Sequence, residues 1–226
     1  MLDEIVNLNS YSYMLTERFQ SRRDFFLKAA RAVVSEGGFQ GLQMLTVAHA
    51  AGSAVGSLYR YFPSKADLCA ALVARVSERE VAVLSFVADT DDDPGQRLAD
   101  CVATFARRAL RNRRLAYAMI AEPVDEAVDA VRLKYRAAIS IVFQRLIEQG
   151  RRDGRFRAVD ARLAAACITG AFMEALVGPL APDNAEDALN NDFVDQLAAL
   201  CLAMIALSGA SPLRLTVPSP NARGLQ

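Results

Sequence analysis

The sequence has a single histidine, His49, and only four cysteines, which stand far apart. The cysteines are Cys69, Cys101, Cys167 and Cys201, and each lies in an apolar pattern of helical spacing. A structural zinc site needs about four such ligands close together, so the sequence predicts no metal site. We expect all four cysteines to be buried free thiols.

Long apolar runs are also missing. No stretch approaches the roughly 20 uninterrupted apolar residues of a membrane span, since Glu174 and Asp195 interrupt the two most apolar segments, 163–181 and 193–209. The first ten residues include two acidic and no basic side chains, unlike a secretory signal. These absences predict a cytoplasmic protein without a membrane partner.

Signatures of enzymes and of β-structure are absent as well. The sequence contains no G-x-S-x-G nucleophile motif, no Walker phosphate loop and no pairing of a nucleophile with a base. No segment alternates apolar and polar residues as a strand does, and there are no internal repeats. We therefore expect an all-α protein that is not an enzyme and carries no cofactor.

Charge is unevenly distributed in this chain of zero net charge. Residues 21–65 contain six basic side chains against Asp24 and Glu36, whereas residues 66–226 contain nineteen basic and twenty-one acidic side chains. Positive charge in one segment is typical of a surface that meets phosphates. The excess is modest, so charge alone does not identify a nucleic-acid binder.

The most informative segment is residues 43–68, QMLTVAHAAGSAVGSLYRYFPSKADL. Its first apolar residues have the spacing i, i+3, i+4, i+7, which predicts a short helix with one buried face: Met44, Val47, Ala48 and Ala51. Gly52 suits a left-handed C-cap at the end of this helix. A second apolar stripe of Val55, Leu58 and Phe62 predicts another short helix directly after a tight turn.

The second short helix has an open face suited to a polar partner. Its other positions are small or hydrogen-bonding: Ala54, Gly56, Ser57, Tyr59, Arg60 and Tyr61. A helix-turn-helix places such a second helix in the major groove of DNA. Pro63 ends the helix, and Ser64 with Asp67 forms a capping-box-like start for the next one.

The spacing over residues 52–68, G-x-x-V-G-S-L-Y-R-Y-F-P-S-K-x-x-L, closely resembles the DNA-binding domain of the TetR family of bacterial transcriptional regulators. The upstream helix fits the first helix of that family through Ala29, Ala30, Val33, Val34, Gly38 and Phe39. The match covers about residues 22–68, and LYxYFxSK at this offset is specific to the family.

The resemblance implies a three-helix helix-turn-helix DNA-binding domain at 21–66 and a six-helix ligand-binding and dimerisation domain at 67–208. Residues 1–20 are then an N-terminal extension, and residues 209–226 a tail that we expect to be flexible. Outside the two motif helices, the periodicity predicts helices at 21–37, 64–88, 95–110, 113–121, 123–150, 160–179 and 186–208. Pro123 would lie in the first turn of its helix, and Asp160 would be an N-cap.

The resemblance also implies phosphate contacts. Ser57, Tyr59 and Lys65 match family positions that bind phosphate oxygens. The chemistry is suitable, because Ser57 and Tyr59 carry hydroxyl donors and Lys65 is a cation near a helix N-terminus. Tyr61 either joins them or packs its ring inside the domain. Gln43 either donates to a phosphate or is only a weak helix cap.

Base contacts would come from the recognition helix. Arg60 is the best candidate, because arginine can form two hydrogen bonds with a guanine edge; a phosphate contact is the alternative. Ala54, Val55 and Gly56 begin the helix and would touch base edges, thymine methyl groups especially. His49 is expected to lie on the exposed face of the preceding helix.

The sequence departs from the family in the turn. Gln43 stands where serine or threonine usually caps the second helix, Ser53 replaces a usually apolar residue, and Ala54 stands where a capping serine is common. We therefore expect a turn that is less firmly held than in typical members.

The larger domain offers candidate ligand contacts and a candidate interface. The resemblance implies a pocket among the middle helices, and the residues that could line it are Phe86, Phe105, Met119, Phe143, Cys167, Phe172 and Glu174. For the phenylalanines and Met119, a place in the core is the default interpretation. Glu174 has three open roles: ligand anchor, interface hydrogen bonder or exposed side chain. The five arginines between 107 and 114 are interpreted as a solvated face, with an anion site, for example for an acyl-coenzyme A, as the alternative.

In the family the last two long helices form a four-helix dimer interface, and here these would be 160–179 and 186–208. The first carries small residues that allow close approach: Ala164, Ala165, Ala166, Gly170, Ala171, Ala175 and Gly178. The second carries an apolar stripe: Phe193, Leu197, Leu200, Met204 and Leu207.

The leading hypothesis is a homodimeric transcriptional regulator, usually a repressor in this family, that binds a near-palindromic double-stranded operator and is released by a small lipophilic or aromatic effector. The alternative is a DNA-binding regulator without a small-molecule ligand, controlled by a protein partner or by its own level. An enzyme with an incidental helix-turn-helix is the least favoured hypothesis.

Overall fold

The computed structural model describes residues 2–183 and 191–207, with side chains from residue 17 onward. Within these residues the chain forms nine α-helices and one isolated antiparallel bridge between Phe156 and Ala206. The helices are α1 (Leu2–Gly41), α2 (Met44–Ala50), α3 (Val55–Tyr59), α4 (Lys65–Ala88), α5 (Pro94–Arg111), α6 (Arg113–Ile120), α7 (Glu126–Arg152), α8 (Ala161–Leu180) and α9 (Asn191–Ala203). The all-α prediction is confirmed.

The chain forms two compact units, and each is built from two segments that are separate in the sequence. Unit 1 comprises Met1–Val76 and Arg114–Arg132, and unit 2 comprises Ser77–Arg113 and Leu133–Gln226. The segment 114–132, which the sequence assigns to the larger domain, therefore packs with the helix-turn-helix.

Unit 1 is built around one apolar core. Side chains from α1 to α4 meet α6 in this core, and its largest fully buried members are Phe26, Leu42, Leu58, Phe62, Leu68 and Leu72. Leu115 and Ala118 close the cluster from α6. The short helices α2 and α3 are held by this burial, because helices of five to seven residues are not stable alone.

Unit 2 is built from the rest of α4 and from α5, α7, α8 and α9. Helix α5 packs along both α8 and α9, and its start is capped by Asp93, whose carboxylate accepts from the Gly95 backbone N–H at 2.9 Å. The predicted N-cap of α8 is confirmed, since the Asp160 carboxylate accepts from the Leu163 N–H at 2.7 Å.

Three predicted helix boundaries were wrong. Helix α1 begins at Leu2 rather than near residue 21, so the predicted extension continues α1. Helix α7 begins at Glu126, after Pro123, because the Asp125 carbonyl accepts the first N–H groups of the helix. Helix α9 ends at Ala203 rather than 208, since the chain turns there to pair with Phe156. The predicted tail, 209–226, lies outside the described residues.

Three of the four cysteines are buried, as predicted, and burial raises the pKa of Cys69 and Cys201 to about 11 and that of Cys101 to about 12. These three groups therefore stay protonated and unreactive. The prediction was wrong for Cys167, which is exposed on α8, because its helical position faces away from the core that Ile168 and Phe172 enter.

Two glycines of unit 1 provide a matched stability test, because both have positive φ and only one is crowded. Gly52 has φ 58° and open space where an added Cβ would lie, whereas a Cβ at Gly38, with φ 65°, would collide with the side chains of Arg114 and Glu122. We expect Gly52→Ala to cost about 1 kcal/mol of stability. Gly38→Ala should cost about 2 to 4 kcal/mol, because strain adds to disruption of a buried charged group.

The measurement is urea unfolding followed by circular dichroism, with Gly37→Ala as a control. A Cβ at Gly37 meets nothing within 4 Å, so this change should be neutral or slightly stabilising. Equal losses for Gly38→Ala and Gly52→Ala would contradict the crowding at Gly38.

Candidate functional site

The turn between α2 and α3 is a regular C-terminal capping motif. The Ser53 N–H donates to the Ala48 carbonyl and the Gly52 N–H donates to the His49 carbonyl, both at 2.9 Å. With Gly52 in the left-handed region, this is the Schellman arrangement. Backbone bonds thus define the turn, and the unusual Ser53 does not need an apolar side chain to hold it.

The two short helices divide their side chains between core and solvent as the pattern predicts. Met44, Val47 and Ala48 are buried on α2, and Leu58 is buried on α3. Of the predicted contact residues, Gln43, Ala54, Gly56, Tyr59 and Arg60 are exposed, and Ser57 and Lys65 are half-buried. Val55 and Tyr61 are half-buried and pack against the core of unit 1. His49 is exposed, as predicted.

Neither short helix has a side-chain cap. Gln43 and Ala54 occupy the N-cap positions of α2 and α3 without a capping hydrogen bond from their side chains. The prediction of weak caps is confirmed. The first N–H groups of both helices are consequently available to an anion, which a helix N-terminus favours.

The predicted capping box is formed at the start of α4. The Ser64 Oγ donates to the Asp67 carboxylate at 2.7 Å and accepts from the Asp67 N–H at 3.1 Å. Lys65 is the first residue of the helix. The capping box thus fixes the backbone from which the half-buried Lys65 side chain extends.

The cations and the glycine of this face are not held by ion pairs or close packing within the described residues. Among the described side chains, neither Arg60 nor Lys65 forms an intrachain ion pair. A Cβ at Gly56 would meet nothing within 4 Å, so no packing within the chain requires glycine there. Absence of a side chain instead lets an external surface approach the α3 backbone closely.

Tyr61 adopts the second of its two predicted roles. Its ring centroid lies 4.7 Å from that of Phe19 and 5.6 Å from that of Phe26 on α1. Arg22 and Arg23 are likewise held on aromatic faces, over Phe26 and Phe62. These contacts fix α1 to α3 and leave Tyr59 as the exposed tyrosine of the recognition helix.

A buried carboxylate that the sequence analysis missed lies behind the helix-turn-helix. Glu122, between α6 and α7, is 2% exposed. Its two oxygens accept the backbone N–H groups of Phe39 and Gln40, both at 3.1 Å. Local sequence gives no signal for this, since one acidic residue before a proline is usually solvated.

In unit 2, three of the predicted ligand-contacting residues come together. The Phe172 ring centroid lies 5.0 Å from that of Phe105 and 5.5 Å from that of Phe143. Thr169 lies one turn before Phe172, and its Oγ1 is buried without a hydrogen-bond partner among the described atoms. This part of the core is therefore an aromatic cluster with one unsatisfied hydroxyl beside it.

The other predicted ligand contacts are not part of this cluster. Phe86 is 71% exposed, and Cys167 and Glu174 are exposed on α8, because their helical positions face away from the core. Met119 packs against the core of unit 1. Glu174 is exposed in the described chain, and its role as an interface hydrogen bonder stays a prediction.

The arginines between 107 and 114 do not form a solvated face. Arg107 pairs with Asp195 at 3.2 Å, and Arg108 binds Glu80 through two bonds of 2.7 Å. Arg113 donates to the Pro179 carbonyl, and Arg114 donates to the Gly37 carbonyl. Because these four side chains bind protein groups, the run is not a ready-made anion site either.

The predicted interface residues are divided between two surfaces. Ala165 and Leu197 are buried within the chain, whereas Ala166, Gly170 and Gly178 on α8 and Leu200 on α9 are exposed. The residues of the stripe predicted for α9 therefore do not all lie on one face of the helix. By length and composition α8 could also span a membrane, but core helices of soluble proteins pass the same test.

Two protein-family models match the chain. Residues 26–72 match the model described as bacterial regulatory proteins, tetR family, and residues 91–176 match the one described as tetracyclin repressor-like, C-terminal domain. Together they cover more than half of the chain. The first spans the turn, the exposed recognition helix and the capping box described above.

Curated relatives agree with the family models. The HTH-type transcriptional repressor KstR of Mycolicibacterium smegmatis is 40% identical over 110 residues, which is 49% of this chain and 54% of that protein. The chain thus spans about half the length of the curated relatives it matches.

Solved structures share the fold. Bacillus subtilis FadR in complex with stearoyl-CoA has a TM-score of 0.68 at 17% identity, covering 79% of this chain and 97% of that one. RolR in complex with resorcinol has a TM-score of 0.64 at 20% identity, covering 89% and 100%. At these identities the likeness concerns the fold alone. With both family models matched in order, the chain belongs to the TetR family of bacterial regulatory proteins.

Proposed function

We propose that the protein is a transcriptional repressor that binds a near-palindromic operator as a homodimer and is released by a lipophilic or aromatic effector. The observation that carries the proposal is the exposed α3 face, where Arg60, Tyr59 and the bare Gly56 backbone lie opposite a buried apolar side. A helix presented in this way fits the major groove. The site of action would be the cytoplasm.

Each contact residue has a distinct role in this proposal. Ser57, Tyr59 and Lys65 bind phosphates and fix the position of α3, with Gln43 donating at the start of α2. Arg60 reads a guanine edge, and Ala54, Val55 and Gly56 approach neighbouring bases. Tyr61, whose ring packs on α1, supports the helix from behind.

Lys65 and Arg60 form a matched pair for testing the interface. Lys65→Ala should weaken binding to operator and to random duplex alike and should lower the slope of log K against log salt by about one, since one phosphate contact is lost. Arg60→Ala should cost about 1 to 3 kcal/mol on the operator and relax preference at one position in each half-site.

Fluorescence anisotropy over a salt series measures both variants, using a duplex selected from a random library by the wild-type protein. Arg31→Ala is a control for loss of a cation on the exposed side of α1. An unchanged salt slope would remove Lys65 from the interface, and a uniform loss on all sequences would make Arg60 a phosphate contact.

The homodimer is supported by the uncovered apolar side of α8 and α9. Leu163 on α8 and Leu200 on α9 are 64% and 65% exposed, and α8 and α9 pack together. A Cβ at Gly170 or Gly178 would meet nothing within 4 Å, so close packing among the described residues does not require glycine at either position. A second copy would bury this face, and two linked heads would double the DNA contacts.

Leu200→Asp tests this interface. The change places a charge in the proposed seam, which should cost several kcal/mol of association free energy and give a monomer. Light scattering measures the mass, and circular dichroism checks the fold. Leu133→Asp, at a leucine of similar exposure on α7, is the control and should remain dimeric. A folded Leu200→Asp dimer would contradict the seam.

The effector class is proposed from the aromatic cluster of unit 2. Ligand sites are mostly apolar with a few polar groups that fix orientation. The cluster of Phe105, Phe143 and Phe172 with the Thr169 hydroxyl has this composition, which supports the proposal. Of the ligands in the two similar structures, stearoyl-CoA carries a lipophilic acyl chain on a charged coenzyme A group, and resorcinol is aromatic. The exposed Glu174 has no part in this proposal.

A thermal-shift screen tests the effector class, with resorcinol and stearoyl-CoA as lipophilic or aromatic probes and glucose and ATP as polar ones. Binding raises stability by mass action, by about 2.7 kcal/mol at a hundredfold excess over Kd. We expect a probe of the first group to raise Tm and to release DNA. Thr169→Val, which removes only the hydroxyl, should weaken a phenolic ligand.

A shift with glucose or ATP alone would contradict the proposed effector class. DNA binding that no small molecule changes would favour the alternative regulator, which is controlled by a protein partner or by its own level.

A further inference from the structure

The α1–α2 connection contains two backbone N–H groups that helical bonding does not satisfy. Gly38 has φ 65° and ψ −168°, which interrupts α1 three residues before its end. The N–H groups of Phe39 and Gln40 turn away from the preceding carbonyls and point at one carboxylate. Consecutive N–H groups of this kind form a small anion-binding concavity, here occupied by a side chain of the same protein.

Glu122 fills that concavity with both oxygens. Oε2 accepts from Phe39 and Oε1 accepts from Gln40, each at 3.1 Å. The Arg114 guanidinium lies 3.6 Å from Oε1 and also donates to the Gly37 carbonyl. Arg132 donates to the backbone carbonyls of Ala118 and Glu122, which fixes the loop that carries the carboxylate.

The arrangement is more than packing, because a buried carboxylate is expensive unless it is fully paired. An apolar residue at position 122 would fill the same space without that cost, but it would leave the buried N–H of Phe39 and the partly buried N–H of Gln40 without their acceptor. The carboxylate therefore specifies one conformation of residues 38–40, as only one geometry satisfies both oxygens and both donors.

The segment held by Glu122 leads directly into the proposed DNA surface. Phe39 anchors the connection in the core, and the Leu42 N–H donates to its carbonyl. Gln43, the N-cap of α2, follows three residues after Gln40 and has no capping bond of its own. Its placement depends on how residues 38–42 are fixed.

We propose that Glu122 is a positioning residue for DNA binding, which sets the Gln43 side chain against a phosphate through its bonds to Phe39 and Gln40. The inference rests on the proposed function. Glu122 does not touch DNA, since it is buried, and it acts only through the α1–α2 connection.

Glu122→Gln is the direct test, because the amide has the same shape but only one acceptor oxygen. Its NH2 group would face an N–H donor, so one of the two bonds is lost. Binding to the duplex selected by the wild-type protein should weaken about tenfold, the effect of one charge-assisted hydrogen bond. Removing a negative charge would by electrostatics alone strengthen DNA binding. The weaker binding expected for Glu122→Gln is a change in the opposite direction, so loss of charge would not explain it.

Glu126→Gln is the matched control. Glu126 lies four residues away, is exposed, and carries the same charge. This variant should bind DNA as well as the wild type or slightly better. Equal effects of the two changes would make the Glu122 result a matter of net charge and would overturn the proposal.

A double-mutant cycle separates positioning from loss of stability. If Glu122 acts by placing Gln43, then Gln43→Ala should weaken binding in the wild type and have little further effect in Glu122→Gln. Arg60→Ala should remain additive with Glu122→Gln. Additivity with Gln43→Ala, or no effect of Gln43→Ala at all, would overturn the proposed route, as would weaker binding that only follows a lower folded fraction.

If Glu122→Gln does not fold, two further measurements test the same hydrogen bonds. Glu122→Asp keeps the charge but is one methylene too short to reach both N–H groups, and it should also weaken DNA binding. In the wild type, hydrogen exchange at Phe39 and Gln40 should be as slow as in α2, and fast exchange would overturn the proposal. Failure of the wild type to select any duplex would instead refute the proposed function.

Discussion

The functional surface depends on one constraint, which is that α2 and α3 are too short to exist without the core of unit 1. A helix of five or seven residues does not recover the cost of nucleation from its own hydrogen bonds. Leu58 and Val47, both fully buried, supply the missing stabilisation by entering a cluster shared with α1, α4 and α6. The exposed residues of α2 and α3 are therefore positioned by the buried residues on the opposite side of the same helices.

Polar contacts then determine which conformation the apolar core holds. Burial of leucine and phenylalanine is non-directional and would tolerate small rotations of α2. The backbone bonds around Gly52 and the two N–H groups that bind Glu122 tolerate far less. In unit 1 the apolar core supplies the stability, and these few polar groups supply the orientation that recognition of a groove requires.

Helix α8 of unit 2 has apolar residues on both its buried and its exposed side. On α8, Ile168 and Phe172 face inward, while Leu163 and Gly170 face outward on the same helix. A helix that is apolar on all sides is usually covered on all sides, and within the described chain only one side of α8 is covered. This is the physical basis for proposing that a second copy covers the other.

The sequence by itself determined the helical fold class, the turn and the outward face of α3, because these follow from local spacing. The positive φ of Gly52, the capping box of Ser64 and the burial of Leu58 each depend on residues within a few positions. Such features are readable from one window of sequence.

Only the tertiary structure decided the partners that are distant in sequence. Glu122 lies more than eighty residues from the N–H groups it binds, and Met119 packs against the core of unit 1 although its neighbours in sequence suggest the larger domain. The same holds for Phe86 and Cys167, whose apolar surroundings predict burial although their helix faces are exposed. Periodicity shows that a helix has an apolar side, but which elements cover that side is decided by the packing of the whole chain.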